Sequence, residues 1–310
     1  MAETAIEWAT HVWNPVTGCS RVSPGCAHCY ALTYAARLKA MGQPKYQRDG
    51  GRGSGPGFGV TLHEDELAAP ARWRKPRRVF VNSMSDLFHE DIPDEYVADV
   101  FAVMAMTQRH TFMVLTKRPE RMKALLTDSL WWAKVGDAIY SRDGDPDEAM
   151  VLFATHGTAM WLANCWLGVS IENRKWVGRA DVLRQTPAAC RFVSAEPLLG
   201  PLRPDSDECN AKWADGYVGP GLNLTGIDWL IAGGESGPRH RPVNPEWVRG
   251  LRDVCLVQRL WEPGTGPDPA GARTRFFFKQ WGGHTPKAGG RELDGRTWDE
   301  LPIREFGVGP

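Results

Sequence analysis

Three cysteines lie close together near the N-terminus, Cys19, Cys26 and Cys29, in the stretch T-G-C-S-R-V-S-P-G-C-A-H-C-Y. Three soft thiolates within eleven residues are typical of a metal site. A closed structural zinc site normally takes four protein ligands. Three thiolates instead suit a [4Fe–4S] cluster, because one iron is then left open to bind another molecule. The spacing therefore predicts an iron–sulfur cluster with one open iron.

A zinc ion is the alternative for this site. His28 could complete a Cys3His set, but it lies between two of the cysteines, and adjacent residues rarely reach one tetrahedral ion. The more distant His11 or His63 could serve instead. The remaining cysteines show no C-x-x-C spacing and are interpreted as small buried apolar residues: Cys165, Cys190, Cys209 and Cys255.

The composition limits the classes of protein to consider. The chain has 310 residues, of which 42% are apolar, enough for one large α/β domain. The formal net charge is zero, so binding to a polyanion requires a local basic patch. The N-terminus lacks the features of a signal peptide, and no apolar run reaches the length of a transmembrane helix. We therefore expect a soluble, cytoplasmic protein.

Short apolar runs alternate with helical patterns along the chain. Strands that are apolar on both faces and alternate with helices indicate a parallel sheet covered by helices. This pattern predicts an α/β fold built as a partial or complete (β/α) barrel, with a doubly wound sheet as the alternative. The predicted strands are 8–15, 77–83, 111–116, 164–171, 190–195, 227–234 and 275–281, and the predicted helices are 27–41, 94–107, 120–126, 175–185 and 245–260.

Several stretches interrupt this alternation. We expect one barrel domain over 1–281, with insertions at about 131–157 and 204–226, and a loosely structured tail over 282–310. The glycine-rich segment 43–59 has no periodicity and is interpreted as a mobile loop that serves as a lid or a substrate-binding segment.

Polar side chains follow most of the predicted strands. In a barrel of this kind the active site lies at the C-terminal ends of the strands, although helix caps also explain some of these residues. The candidates are Ser83, Ser85, Asp86, Lys117, Arg118, Ser170, Glu172, Asn173, Ser194, Glu196 and Glu235. Cations among or near them would favour an anionic substrate such as a nucleotide or DNA: Lys117, Arg118, Arg121, Arg239, Arg241 and Lys279.

The cysteine segment W-N-P-V-T-G-C-S-R-V-S-P-G-C-A-H-C-Y-A resembles the signature of a phage-associated three-Cys-motif family of proteins related to radical S-adenosylmethionine (SAM) enzymes. Further stretches over most of the chain are similar to motifs of that family: V-N-S-M-S-D-L-F-H, L-T-K-R-P-E-R, L-G-V-S-I-E-N, S-A-E-P-L-L-G, A-G-G-E-S-G and F-F-K-Q-W-G. The resemblance implies a barrel of the radical SAM type. It also implies a [4Fe–4S] cluster on the three cysteines, whose open iron binds SAM.

The resemblance further implies how SAM is held. The methionine amino group would meet Ser83, Ser85 or Asp86. The ribose would meet Ser170, Glu172 or Asn173, and the adenine or carboxylate would lie near Ser194 and Glu196. Glu235 would act on the substrate side as a base or a hydrogen-bonding group, and Lys117 and Arg118 would meet the anionic substrate.

The expected activity is therefore hydrogen abstraction from a nucleotide or nucleic-acid base, in modification or repair, with DNA or a nucleotide as substrate. An electron-donating reductase such as flavodoxin or ferredoxin would be a partner. Two alternatives stay open: a zinc-stabilised nucleic-acid-binding module without catalysis, and an ordinary (β/α) barrel enzyme with a structural metal.

Overall fold

The structure is a computed structural model, and it describes residues 4–51, 53–142, 160–203, 221–257 and 273–302. The predicted insertion 204–226 lies outside these ranges up to residue 220, as do Cys209 and the end of the predicted tail. The chain divides into two compact units. Among the described residues, those within 4–168 and 185–190 form the first, and those within 169–184 and 191–302 form the second.

The first unit carries the N-terminal strands and the helices that cover them. Its buried strand residues, among them Val79, Val81, Phe112 and Val114, are apolar and β-branched or aromatic, which suits a sheet covered on both faces. Its elements, in chain order, are β1 (His11–Trp13), β2 (Val16–Thr17), α1 (Tyr30–Ala40), β3 (Thr61–Leu62), α2 (Glu64–Leu67), β4 (Arg78–Val81), α3 (Asp94–Met106), β5 (Thr111–Thr116), α4 (Pro119–Leu126) and α5 (Ser129–Tyr140).

The second unit continues the same alternation of strands and helices. Strand β6 (Cys165–Ser170) begins in the first unit and ends in the second. It is followed by α6 (Gly178–Arg184), β7 (Cys190–Ala195), β8 (Trp229–Gly233), α7 (Pro245–Val257) and β9 (Arg275–Gln280).

The main sheet has seven strands in the order β1-β4-β5-β6-β7-β8-β9, and the short strands β2 and β3 pair antiparallel on their own. The pairs β1–β4, β4–β5, β7–β8 and β8–β9 are parallel. The order follows the sequence without the reversal that defines a doubly wound sheet, so that alternative is wrong. Because β1 and β9 stand at opposite ends, the fold is a partial (β/α) barrel, as predicted.

Two expectations about the interrupting stretches need correction. The first ten residues of the predicted insertion 131–157 belong to helix α5, where the Trp131 ring packs 5.2 Å from that of Phe101 on α3. The described part of the predicted tail is not loose either, because Phe278 N donates to Trp298 O (2.9 Å) alongside β9. Within the described ranges, no helix has the length and apolar character needed to cross a membrane.

Candidate functional site

The cysteine segment is held against the turn that follows β4. Gly18 N donates to Met84 O (3.0 Å), and the Ser85 hydroxyl donates to Val16 O (2.8 Å). Gly18 has a φ of 90°, and a Cβ at this position would lie 2.3 Å from the carbonyl oxygen of Gly59. Only glycine satisfies both conditions, so Gly18 fixes where the chain enters the cysteine segment.

Cys19 lies between the glycine-rich segment and an arginine. Its backbone N donates to Phe58 O (3.3 Å), and Arg118 Nη1 donates to its Sγ over 3.5 Å. Burial, followed by the charge of Asp86, raises the pKa of the Cys19 thiol to about 12, while Arg118 acts in the opposite direction. The segment 43–59, predicted as a mobile loop, thus contributes a packed wall to the cysteine site.

Cys26 and Cys29 lie just before the start of α1. Cys26 ends a short 3-10 turn, with its Sγ 4.0 Å from the Ser23 hydroxyl, and Cys29 directly precedes the helix. Burial raises the pKa of the Cys29 thiol, and backbone hydrogen bonds from Ala31 and Leu32 and the charge of Lys117 oppose that rise. The net effect is a raised pKa, so the protonated thiol is favoured here, and a metal that binds Cys29 would have to displace its proton.

The three thiols share one neighbourhood. Cys19 and Cys29 pack against the same apolar cluster, formed by Ala31, Ala35, Phe58 and Met84. The charge of Cys26 acts on the pKa of both, after the larger effect of burial. All three cysteines are free and half-buried.

These donors do not converge on a single ion. Within the described residues, no three His, Cys, Asp or Glu side chains form a group that could hold a metal ion. His63, considered above as a zinc ligand, is buried and lies 2.8 Å from the Thr17 hydroxyl, while the His11 ring packs 5.7 Å from that of Trp73. His11 and His63 are thus held by other contacts, and a [4Fe–4S] cluster on the three thiols stays a prediction.

Asp86 organises the residues behind Cys19. Its Oδ1 accepts from Phe88 N (3.0 Å) and the Thr116 hydroxyl (2.7 Å). Its Oδ2 accepts from Lys117 N (3.0 Å) and Arg118 Nη1 (3.2 Å). A carboxylate has about four acceptor positions, so these bonds occupy it fully. Contact of Asp86 with a cofactor stays a prediction, whereas its observed contacts orient the strand end and Arg118.

Arg118 is itself committed to partners within the first unit. It donates to the Ser20 hydroxyl (2.7 Å) and to Glu90 Oε2 (2.9 Å), in addition to Asp86 and Cys19. The neighbouring Arg121 contacts the Asp94 carboxylate and the carbonyl groups of two other residues. Each of these arginines is therefore paired with a nearby carboxylate, and contact of Arg118 with an anionic substrate stays a prediction that this pairing does not favour.

The two serines after β4 are also used locally. The Ser83 hydroxyl donates to Asn14 Oδ1 (3.1 Å), the same atom that accepts from Met84 N (3.2 Å), and the Tyr30 hydroxyl donates to the Ser83 carbonyl. These bonds join β1, β4 and the start of α1. Binding of SAM by either serine stays a prediction.

Three glutamates in the second unit each meet a basic side chain near the carboxyl end of a strand. Glu172, fully buried after β6, pairs with Arg179 Nη1 (3.2 Å), which also donates to Ser170 O (2.7 Å). Glu196, after β7, pairs through Oε1 with Lys279 on β9 (2.9 Å) and accepts through Oε2 from the Ser194 hydroxyl (3.1 Å).

Glu235, after β8, forms the third pair. Its Oε2 accepts from Arg241 N (2.9 Å) and Nε (2.8 Å), and its Oε1 pairs with Nη2 of the same arginine. A guanidinium held this way favours the charged carboxylate and makes it a weak proton acceptor. A role for Glu235 as a catalytic base stays a prediction that this geometry does not favour. Asn173 Oδ1 accepts from Lys175 N (3.0 Å), which is the helix-cap interpretation considered above.

A family model described as "Protein of unknown function (DUF5131)" matches residues 3–302. The chain belongs to the DUF5131 family. No curated protein matches the sequence of this DUF5131 chain.

Solved structures give weaker matches to the DUF5131 chain. A cysteine-to-serine mutant of spore photoproduct lyase is similar at 15% identity and a TM-score of 0.37, over 84% of this chain and 63% of that chain. Spore photoproduct lyase complexed with dinucleoside spore photoproduct is similar at 14% identity and a TM-score of 0.34, over 82% and 61%. The DUF5131 chain thus spans less than two thirds of these proteins, and TM-scores this low support no statement about its chemistry.

Sequence reasoning missed several residues of the DUF5131 site. Ser20 and Glu90 bind Arg118, and Asn14 binds the turn after β4. Asn82 directly follows β4 with a φ of 60°, and neither polar atom of its buried carboxamide has a hydrogen-bond partner. The polar residue type directly after a strand was the available signal for Asn82, while the partners of Arg118 are distant in sequence.

Proposed function

We propose that this DUF5131 protein is a radical SAM enzyme in which Cys19, Cys26 and Cys29 hold a [4Fe–4S] cluster. When bound, the cluster and SAM supply a one-electron cleavage of SAM to methionine and a 5′-deoxyadenosyl radical, which abstracts hydrogen from the substrate. The observation that carries this proposal is the grouping of three free thiols beside the turn after β4, two of them on one apolar cluster.

Two nearby cations offset part of the effect of burial on the thiols that the proposal requires as thiolates. The Arg118 hydrogen bond to Cys19 and the positive charge of Lys117 near Cys29 both favour the ionised form. The apolar cluster excludes water from one side of the cysteines, which protects a redox group from solvent. In this proposal Arg118 and Asp86 are positioning residues.

Further parts of the proposal concern SAM and the partners. Ser83 and Ser85 in the first unit, and Ser170, Glu172, Asn173, Ser194 and Glu196 in the second, remain the proposed SAM contacts. The proposed substrate is a nucleotide or a nucleic-acid base. The electron donor would be a reductase of the flavodoxin or ferredoxin type.

The test is anaerobic reconstitution of the full chain with iron and sulfide, followed by SAM and dithionite. We expect a brown protein with about four irons per chain and formation of 5′-deoxyadenosine. Cys19→Ser, Cys26→Ser and Cys29→Ser should each lose iron and product, whereas Cys255→Ala, which changes a buried cysteine of α7, should retain both. A colourless anaerobic protein with one zinc per chain would refute the proposal and favour the zinc-stabilised module.

A further inference from the structure

A cleft in the second unit lies next to the segment that carries Glu172. Its volume is about 260 Å³, close to the lower limit of about 300 Å³ for ligand pockets. One wall is Asn173, Arg174 and Lys175, after β6. The facing wall includes Leu199 and Pro201, after β7, and Trp247 on α7.

The two walls are joined by the backbone. Leu199 N donates to Glu172 O (2.7 Å), which ties the segment after β7 to the segment after β6. A Cβ on Gly200 would lie 3.2 Å from the Cβ of Asn173, so the glycine lets the walls approach closely. Behind them, the buried pair of Glu172 and Arg179 fixes the same segment. The cleft is therefore a built part of the second unit.

The charge of the lining has one sign. Arg174 and Lys175 line the cleft, and among the residues that the structure describes no carboxylate does. Lys175 is exposed and forms no ion pair with any described residue, which distinguishes it from Arg118, Arg241 and Lys279. The Oδ1 of Asn173 accepts from Lys175 N, which fixes the backbone at the start of this wall. This lining selects an anion.

The remaining lining selects a flat, partly apolar group. Trp247 is half-buried and offers an aromatic surface, and Leu199 and Pro201 provide apolar edges beside it. Aromatic side chains stack on nucleobases with little regard to base identity. SAM itself carries a sulfonium, an ammonium and one carboxylate, so its net positive charge does not suit two cations.

We infer that this cleft binds a nucleoside monophosphate, with the phosphate at Arg174 and Lys175 and the base against Trp247. The statement that this cleft is the substrate site of the enzyme rests on the proposed function. The statement that the cleft binds a nucleoside monophosphate does not, because that binding requires no cluster.

The test is calorimetric titration of the purified full chain, without cluster reconstitution, with adenosine 5′-monophosphate, adenosine, inorganic phosphate and SAM. The monophosphate should bind more tightly than adenosine or phosphate alone. Lys175→Ala should weaken monophosphate binding by about tenfold or more, because a charge-assisted hydrogen bond is lost. Trp247→Leu should weaken monophosphate binding and leave phosphate binding unchanged. Lys287→Ala, which removes an exposed lysine elsewhere in the second unit, should bind like the parent protein.

Several results would overturn the inference. They are equal binding of adenosine and its monophosphate, parental affinity in Lys175→Ala with the fold intact by circular dichroism, or SAM binding that depends on Lys175. Binding of the monophosphate should also weaken as the salt concentration rises from about 0.05 to about 0.5 M, because salt screens the attraction between the phosphate and the two cations. These measurements need no iron, so a failure here is distinct from a failure to form 5′-deoxyadenosine.

Discussion

Asp86→Asn tests whether the buried pair behind Cys19 holds the first unit together. The carboxylate of Asp86 and the side chain of Arg118 are only 8% and 10% exposed, so the substitution leaves a buried cation without its main partner. Removing one member of a buried pair costs about 3–5 kcal/mol. Because Arg118 keeps its bonds to Ser20 and to the exposed Glu90, we expect a loss of about 2–4 kcal/mol in the free energy of unfolding.

Urea unfolding of the parent and variant proteins measures this loss. Asp91→Asn is the matched control, since that carboxylate is 66% exposed, and it should change stability by less than about 0.5 kcal/mol. Combining Asp86→Asn with Arg118→Met should cost less than the sum of the single changes, with a coupling of about 1–3 kcal/mol. A loss below about 0.5 kcal/mol in Asp86→Asn, or strict additivity, would contradict the reasoning.

Three further predictions follow from the described contacts. Gly18→Ala should lower the free energy of unfolding in urea by about 2 kcal/mol or more and should reduce iron uptake. Gly42 also has a positive φ, of 72°, but has open space around it, so Gly42→Ala should lower the same free energy by only about 1–2 kcal/mol. Burial lowers the pKa of His63 and of His110, so these histidines take up protons more readily in the unfolded chain; stability should change little between about pH 6.5 and 8 and should fall as pH drops below about 6.5, in urea titrations at several pH values. Arg179→Met should destabilise the protein by about 3–5 kcal/mol in thermal or urea unfolding, because it strands the buried carboxylate of Glu172; no loss would show that this carboxylate is not charged.

The strands and the order of the sheet could be predicted because the pattern is local. An apolar run such as 111–116 is both the signal and the strand, and its alternation with helices favours parallel neighbours. Helix α5 was missed because its sequence is rich in tryptophan and runs into an acidic stretch, and its role depends on contact with α3. That contact joins residues far apart in the chain.

The position of the candidate site could be predicted from the sequence, but the ion pairs within it could not. The cysteines and the polar residues after the strands stand out by type, and the structure brings Cys19 and the turn after β4 together. Whether a cation is open to a ligand depends on its carboxylate, and Arg118 finds Asp86 and Glu90 some thirty residues upstream. Lys175 carried no distinctive signal in the sequence, although among the described residues it keeps its charge unpaired.

The segment that returns alongside β9 has a consequence for the solubility of shortened chains. Phe278 N donates to Trp298 O, Phe276 N donates to a carboxylate oxygen of Glu300, and the Trp229 indole donates to the Glu300 carbonyl. This segment therefore covers the outermost strand, whose open hydrogen-bonding groups would otherwise template association with a second chain. A protein cut after residue 281 should self-associate into sheet-rich aggregates. Residues 282–302, the last part of the family match, therefore protect the fold against aggregation.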